Sequence, residues 1–129
     1  MTGPAETTHF KDARAPDGMR LYAIGDVHGC LAQLKALHAI IADEIERQRP
    51  RDWRIVHLGD YVDRGPDSSG VLAFLIEARA RDSRNRMLGG NHDIGFLEFL
   101  DQPTNHGLFA RFGGMGTARS YGVDLDVSD

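Results

Sequence analysis

Residues 19–29 read Met19-Arg20-Leu21-Tyr22-Ala23-Ile24-Gly25-Asp26-Val27-His28-Gly29, an apolar run followed by a polar loop between two glycines. A short apolar run closed by glycine predicts a β-strand, and we interpret this one as buried on both faces. Apolar residues then recur at steps of three and four, as in an amphipathic helix: Leu31, Leu34, Leu37, Ile41 and Ile45. Pro50 predicts the end of that helix. A βα unit with a polar loop at its turn is therefore expected after residue 18.

The same pattern returns twice further along the chain. A second strand is predicted at Trp53–Leu58 and a third at Arg84–Leu88, each followed by glycine. Helical stripes are predicted at 71–76 and 94–100, and two short helices flank a glycine-rich turn at 113–116. The order β-α-β-α-β-α, with this spacing, favours right-handed crossovers and a parallel sheet of the α/β class.

Length and composition predict one soluble globular domain. The chain has 129 residues, of which 41% are hydrophobic and 26% charged, enough for both a core and a solvated surface. Residues 1–18 are polar and lack periodicity, so we predict a flexible tail there and the domain at 19–129.

Charge and hydropathy argue against two classes of partner. The formal net charge is -4 and the basic residues form no block, which argues against nucleic acid. No apolar run is long enough to cross a bilayer and no leader pattern opens the chain, so we expect no membrane partner. The single cysteine, Cys30, excludes an intrachain disulfide and fits a reducing compartment. A cytoplasmic protein is therefore expected.

Polar motifs follow all three predicted strands: Gly25–Gly29, Gly59–Gly65 and Gly89–Asp93. Asp26 and Asp60 are 34 residues apart (60 minus 26), and Asp60 and Asn91 are 31 apart (91 minus 60), about one βα repeat each. Because parallel strands end at one edge of their sheet, the motifs should converge there. Carboxylates, an imidazole and an amide oxygen suit hard or borderline divalent ions, so the sequence predicts a metal site at this edge.

The three motifs resemble the GDxHG, GDxVDRG and GNHE signatures of calcineurin-like metallophosphoesterases, in their phosphoprotein phosphatase branch. The resemblance extends from about Leu21 to Val123, and residues 112–114 and 120–122 also resemble a bacterial subgroup of these phosphatases. It implies the N-terminal half of a metallophosphoesterase β-sandwich flanked by helices. The activity it implies is metal-dependent hydrolysis of phosphoesters.

The resemblance also implies a ligand set for two divalent metal ions. Asp26 and His28 would bind the first ion, Asp60 would bridge both ions, and Asn91 would bind the second. Mn is our first expectation for the metal, and Fe, Zn, Co and Ni accept the same ligands.

Three further residues take catalytic roles by the same resemblance. His92 would be the general acid that protonates the leaving oxygen, with Asp63 orienting it. Arg64 would bind two phosphate oxygens through its planar guanidinium, and Asn91 and His92 would also contact the phosphate. The attacking group would be hydroxide, so no serine or cysteine of the chain need act.

Two departures from the family pattern leave alternatives open. The motif Gly59–Gly65 favours a serine/threonine protein phosphatase acting on phosphoproteins, our first expectation. Asp93 replaces the usual glutamate, which favours the alternative, a diadenosine tetraphosphatase acting on small phosphoesters. The later metal-binding histidines of the family have no match in this sequence, so we expect an incomplete second metal site and weak or no activity. A third alternative is therefore a non-catalytic fragment that binds metal or a partner, and its uncovered sheet face should favour self-association.

Other residues with chemical potential are interpreted as structural. His57 lies inside the second strand and is expected in the core, and His38 flanks the first helix. We assign no catalytic role to Cys30 or His106, and we interpret Trp53 as a packing residue.

Overall fold

The computed structural model describes residue 3 and residues 5–128. The predictions for residues 1, 2 and 4 of the tail and for residue 129 of the domain lie outside the described residues. After a single 3-10 turn at Phe10–Asp12, which buries none of its residues, the elements follow in this order: β1 Met19–Ile24, α1 Leu31–Gln48, β2 Asp52–His57, α2 Ser68–Arg81, β3 Asn85–Met87, α3 Asn91–Asp101, α4 Leu108–Arg111 and α5 Gly114–Ser120.

The three strands form a parallel sheet in the order β1-β2-β3. Its register aligns the last residues of the strands, because Ile24 pairs with His57 and His57 pairs with Met87. The three polar motifs therefore leave the sheet at one edge, which confirms the predicted convergence. The α/β class and the parallel sheet are confirmed as well.

The two faces of this sheet differ in cover. On one face Ile24 and Ile55 are buried in a core with Leu34 of α1 and with Val71 and Leu75 of α2. Burial of this kind contributes roughly 1.5–3 kcal/mol for each large apolar side chain.

On the opposite face of the sheet, Leu21 is 50% exposed, and Leu58 and Leu88 beyond the strand ends are 49% and 52% exposed. The prediction that β1 is buried on both faces is therefore wrong. Within the part of the chain that the structure describes, helices pack on one side of β1 only, so its side chains alternate between core and surface. Self-association through the open face stays a prediction.

Helix α3 begins earlier than its apolar stripe indicates. The stripe predicts a helix over Ile94–Leu100, but α3 starts at Asn91 with Gly90 as its N-cap. The carboxylate of Asp93 accepts a hydrogen bond from the backbone N–H of Gly90 (2.9 Å), which closes the first turn. As a result, Asn91 and His92 lie in the first turn of a helix rather than in a loop.

Two further helix ends follow ordinary capping. Helix α1 ends at Gln48, where Arg49 takes a left-handed conformation (φ 46°) just before Pro50. The N-cap of α2 is Asp67, whose carboxylate accepts from the N–H of Gly70 at 2.8 Å. Among the described helices, none has the length and apolar character needed to cross a membrane.

Candidate active site

The loops after β1 and β2 are held together by their backbones. The N–H groups of Val27 and His28 both donate to the carbonyl oxygen of Asp60, at 3.0 and 2.9 Å, and Gly29 N–H donates to the carbonyl of Tyr61 at 2.9 Å. Four non-glycine residues of these loops have positive φ: His28, Asp60, Asp63 and Arg64. Such conformations are strained and cluster at functional sites, so the loops are shaped for something beyond connecting strands.

The loops after β2 and β3 approach each other through glycine. Gly59 has φ 108°, and a Cβ atom placed there would overlap the backbone of Gly90. A Cβ atom on Gly90 would in turn overlap the carboxylate of Asp60. Glycine at these two positions therefore lets Asp60 lie directly against the start of α3.

Three predicted metal ligands converge at the edge of the sheet. Asp26, His28 and Asp60 each offer a ligand atom, and these atoms lie within 4.8 Å of one another. Nδ1 of His28 lies 2.8 Å from the carbonyl oxygen of Val62, to which it donates. That hydrogen bond orients the ring so that Nε2 faces Asp26, 3.6 Å from its carboxylate, and Nε2 is the nitrogen left to bind a metal ion. Two carboxylates and one oriented imidazole fit a divalent ion.

The fourth predicted ligand, Asn91, lies beside the bridging position. With its amide nitrogen turned toward Asp60, Asn91 donates to both carboxylate oxygens at 3.2 Å. With the amide oxygen turned the same way, three oxygens would face one another, an arrangement that needs a cation between them. Among the described residues, no second group of three His, Cys, Asp or Glu donors forms around Asn91. Of the predicted ligands for a second ion, the described residues therefore bring together Asp60 and Asn91 alone.

The predicted acid and its orienting partner form a buried pair. Nδ1 of His92 donates to Oδ2 of Asp63 at 2.7 Å, with side-chain exposures of 6% and 0%. The backbone N–H of His92 donates to Oδ1 of Asp60 at 2.9 Å, which ties the imidazole to the metal ligands. Nη2 of Arg64 lies 3.4 Å from Nε2 of His92, so the guanidinium borders the same space. The ring of His28 meets the ring of His92 edge-on, with centroids 4.7 Å apart.

Sequence reasoning missed two hydroxyl groups around Asp63. The backbone N–H of Asp63 donates to Oγ1 of Thr117 at 2.7 Å and to Oγ of Ser68 at 3.1 Å. The Thr117 hydroxyl donates back to Oδ1 of Asp63 at 2.8 Å, and both hydroxyl residues are fully buried. The resemblance of residues 112–114 and 120–122 to a bacterial subgroup was the available signal, because these residues flank Thr117.

Asp93 faces the backbone of the site rather than its open side. Its carboxylate accepts from the N–H groups of Asp60 (2.7 Å), Tyr61 (2.9 Å) and Gly90 (2.9 Å). It therefore joins the second and third motifs. Burial and the negative charge of Asp93 raise the pKa of Tyr61 to about 12, so the phenol stays protonated and donates to the carbonyl of Leu88.

Three of the residues interpreted as structural, His38, His57 and Trp53, make their polar and ring contacts outside the metal ligands. His57 is fully buried, with Nδ1 3.0 Å from the carbonyl oxygen of Arg86 and Nε2 2.9 Å from Nε2 of His38. Burial lowers the pKa of both imidazoles, that of His38 to about 4. Trp53 packs its ring under the guanidinium of Arg84, 4.0 Å from the ring centroid. The core role predicted for His57 is confirmed by its burial.

Comparison with known proteins identifies the class. Residues 19–127 match the family described as Calcineurin-like phosphoesterase, so the chain belongs to that family of phosphoesterases. This confirms the resemblance to calcineurin-like metallophosphoesterases.

Individual relatives carry a narrower name. The chain is 44% identical over 79 residues to the protein called "Bis(5'-nucleosyl)-tetraphosphatase, symmetrical" in Pectobacterium carotovorum, an alignment that covers 61% of this chain and 25% of the relative. Proteins of the same name in Chromohalobacter salexigens (43% identical, 61% and 26% covered) and Hamiltonella defensa (40% identical, 61% and 26% covered) are also similar. The alignments thus span about a quarter of the length of these relatives.

Proposed function

We propose that this site hydrolyses dinucleoside polyphosphates, using water to cleave a phosphoanhydride bond within the phosphate chain. The observation that carries the proposal is the 44% identity over 79 residues to a symmetrical bis(5'-nucleosyl)-tetraphosphatase. Both candidate substrates present a phosphoryl group to the same metal ligands, so the geometry alone does not separate them. The relatives support the tetraphosphatase alternative more than the protein phosphatase that the motif Gly59–Gly65 favours.

Asp26, His28 and Asp60 would hold a divalent ion, with Asn91 beside the position of a second one. A divalent ion at such a site neutralises phosphoryl charge and lowers the pKa of bound water toward neutrality. We keep Mn as the first choice for assays. The ligand set also accepts Fe, Zn, Co and Ni, which serve as further trials.

The contact between Arg64 and His92 indicates how binding of a phosphate would make Nε2 of His92 available to the substrate. In the structure, Nδ1 of His92 donates to Asp63, and Nε2 faces a guanidinium N–H of Arg64 at 3.4 Å. A substrate phosphate offers Arg64 a better acceptor than Nε2, and binding it would draw the guanidinium away from the imidazole. Nε2 of His92 would then face the leaving oxygen and donate a proton to it, with Nδ1 held by Asp63.

The test compares two substrates with the Mn-supplemented protein. We expect a higher kcat/KM on diadenosine tetraphosphate than on a phosphoserine peptide, with ADP as the sole nucleotide product. One water consumed per two ADP formed is the balance of symmetrical cleavage, whereas asymmetric cleavage would release AMP and ATP. Asp60→Asn is the control, and it should remove all metal-dependent product.

Each other outcome has a defined meaning. Preference for the phosphopeptide would reject the proposal in favour of a serine/threonine protein phosphatase. If neither substrate is converted while tight metal binding is retained, the proposal would be rejected in favour of a non-catalytic metal-binding fragment.

A further inference from the structure

Thr117 of α5 contacts the carboxylate that orients the predicted acid. Its side chain is fully buried, and 54 residues of sequence separate it from Asp63. The hydroxyl donates to Oδ1 of Asp63 at 2.8 Å and accepts from the backbone N–H of the same residue at 2.7 Å. One side chain therefore holds Asp63 at both its backbone and its carboxylate.

The hydrogen bonds of Asp63 leave little freedom to its carboxylate. Oδ2 accepts from Nδ1 of His92 at 2.7 Å, and Oδ1 accepts from Thr117. Because the carboxylate is fully buried, an oxygen without a donor would be strongly disfavoured there. Without the Thr117 hydroxyl, the carboxylate would turn to share its bond to His92 between both oxygens. The backbone of Asp63 would keep only its longer contact to Ser68, 3.1 Å, although its φ of 75° is a strained conformation.

We propose that Thr117 is a positioning residue, which acts through Asp63 to hold His92 in the orientation that proton donation requires. Its catalytic consequence rests on the proposed function, whereas its effect on the His92–Asp63 bond does not. The short helix α5 is thereby part of the active site although none of its side chains need touch the substrate. Gly113, at the N-cap of α5, accepts from the N–H of Arg64 at 3.0 Å, so the same segment also supports the predicted phosphate ligand.

The chain offers a matched control on the same helix. Ser120 also uses its hydroxyl at the α2–α5 contact, where Oγ accepts from the N–H of Ser69 at 3.0 Å. The same hydroxyl donates to the backbone carbonyl of Thr117 at 2.7 Å, and it makes no hydrogen bond to Asp63 or His92 in the structure. Ser120→Ala therefore removes a hydroxyl from the same packing contact, including one bond to the backbone of Thr117, while the side-chain hydroxyl of Thr117 stays in place.

The first experiment observes the His92–Asp63 bond directly in the metal-free protein. In NMR spectra of protein with 15N-labelled histidine, the Nδ1 proton of His92 should resonate far downfield and exchange slowly, because it is buried against a carboxylate. Thr117→Val, which keeps the side-chain volume but loses the hydroxyl, should speed its exchange by about tenfold or more, the scale of one hydrogen bond to a charged group. Thr117→Ser should restore the protection, and Ser120→Ala should not change it.

The second experiment measures kcat and KM of the Mn-loaded protein on two phosphomonoesters. p-Nitrophenyl phosphate has a good leaving group and needs little protonation, whereas phosphoserine has a poor one. Thr117→Val should lower kcat for phosphoserine about tenfold more than kcat for p-nitrophenyl phosphate, with little change in KM. Thr117→Ser should restore the wild-type ratio. A merely structural role would lower both rates together.

The outcomes separate this inference from the proposed function. Unchanged exchange of the Nδ1 proton in Thr117→Val would overturn the inference whatever substrate the protein prefers. Loss of that protection, rescued by Thr117→Ser, would support it even if dinucleoside polyphosphates are not cleaved. If Thr117→Val does not fold, Thr117→Cys takes its place, because a thiol preserves the volume and is a weaker donor. An unchanged proton in that variant would overturn the inference equally.

Discussion

His92 and His57 are the two most deeply buried histidines among the described residues, and they use that burial in opposite ways. His92 is 5% exposed and gives its Nδ1 proton to the carboxylate of Asp63. His57 is fully buried and points Nδ1 at the carbonyl oxygen of Arg86, while its Nε2 lies 2.9 Å from a second imidazole, that of His38. The two environments differ mainly in whether a negative charge is present.

The difference decides whether a positive charge on each imidazole would be compensated. The buried carboxylate of Asp63 lies against His92 and would stabilise such a charge there. In the pair of His38 and His57, one proton lies between the two Nε2 atoms, and a second proton there would set two N–H donors against each other and leave a cation with no carboxylate beside it. Burial lowers the pKa of both members accordingly. Burial alone therefore does not mark a catalytic histidine; the charge of its partner does.

The largest difference in activity should appear when each histidine is replaced by an uncharged amide side chain. His92→Asn removes the acid, so hydrolysis of phosphoserine by the Mn-loaded protein should fall about 10²–10⁴-fold, and that of p-nitrophenyl phosphate far less. His57→Gln should leave the ratio between the two substrates unchanged, because His57 lies outside the predicted acid and metal ligands. Equal losses on both substrates in His92→Asn would mean that His92 holds metal or phosphate instead. Asp63→Asn should resemble His92→Asn in milder form.

The second effect concerns metal binding, in which His28 should differ from His38 and His57. His28 has two carboxylates as neighbours, whereas neither His38 nor His57 hydrogen-bonds to a carboxylate in the structure. Calorimetric titration with Mn should therefore find no more than one tight site. Asp26→Asn combined with His28→Ala should abolish it, and His38→Gln should not alter it.

Two tight sites in the wild-type protein would contradict the view that Asn91 and Asp60 alone bind the second ion weakly. A tight site that is lost in His38→Gln would relocate metal binding to the core pair.

The sequence could predict the site because its determinants are local. Each motif follows an apolar run and a glycine, and a parallel sheet brings such turns to one edge, so Asp26, Asp60 and Asn91 were expected together. The register that aligns the three strand ends confirms that reasoning. The bond between His92 and Asp63 was implied by family resemblance and is present at 2.7 Å. Its catalytic role stays a prediction.

What the sequence could not predict depends on contacts distant along the chain. Thr117 reaches Asp63 through the packing of α5, and no pattern near residue 117 indicates which carboxylate it would bind. The apolar character of β1 does not say how many layers cover it, so the exposure of Leu21 was missed. Asp93 was interpreted by comparison with a motif, whereas its three bonds to backbone N–H groups give it a structural role that either substrate class would need.

The smallest effect should be a dependence of stability on pH that originates in the pair of His38 and His57. His38 has its pKa lowered from 6.5 to about 4, first by burial and then by the positive charges of His57 and Arg81. Below pH 6.5 the unfolded chain therefore binds a proton that the folded chain refuses, and the free energy of unfolding must fall as the pH falls toward 4. Because His38 is only half-buried, we expect roughly 1 kcal/mol to be lost between pH 7 and pH 5 from this residue.

Urea unfolding of the metal-free protein at several pH values measures this loss, and His38→Gln isolates its source. The glutamine amide can still donate to Nε2 of His57, so stability at pH 7 should change little, while the titration of residue 38 is removed. The variant should therefore lose less stability than the wild type between pH 7 and pH 5, and the remainder should come from His57 and other groups. The slope m should stay constant if the pair titrates within an otherwise native fold. An identical pH dependence in both proteins would mean that the two imidazoles accept protons without cost, and that His57 differs from His92 less than their partners indicate.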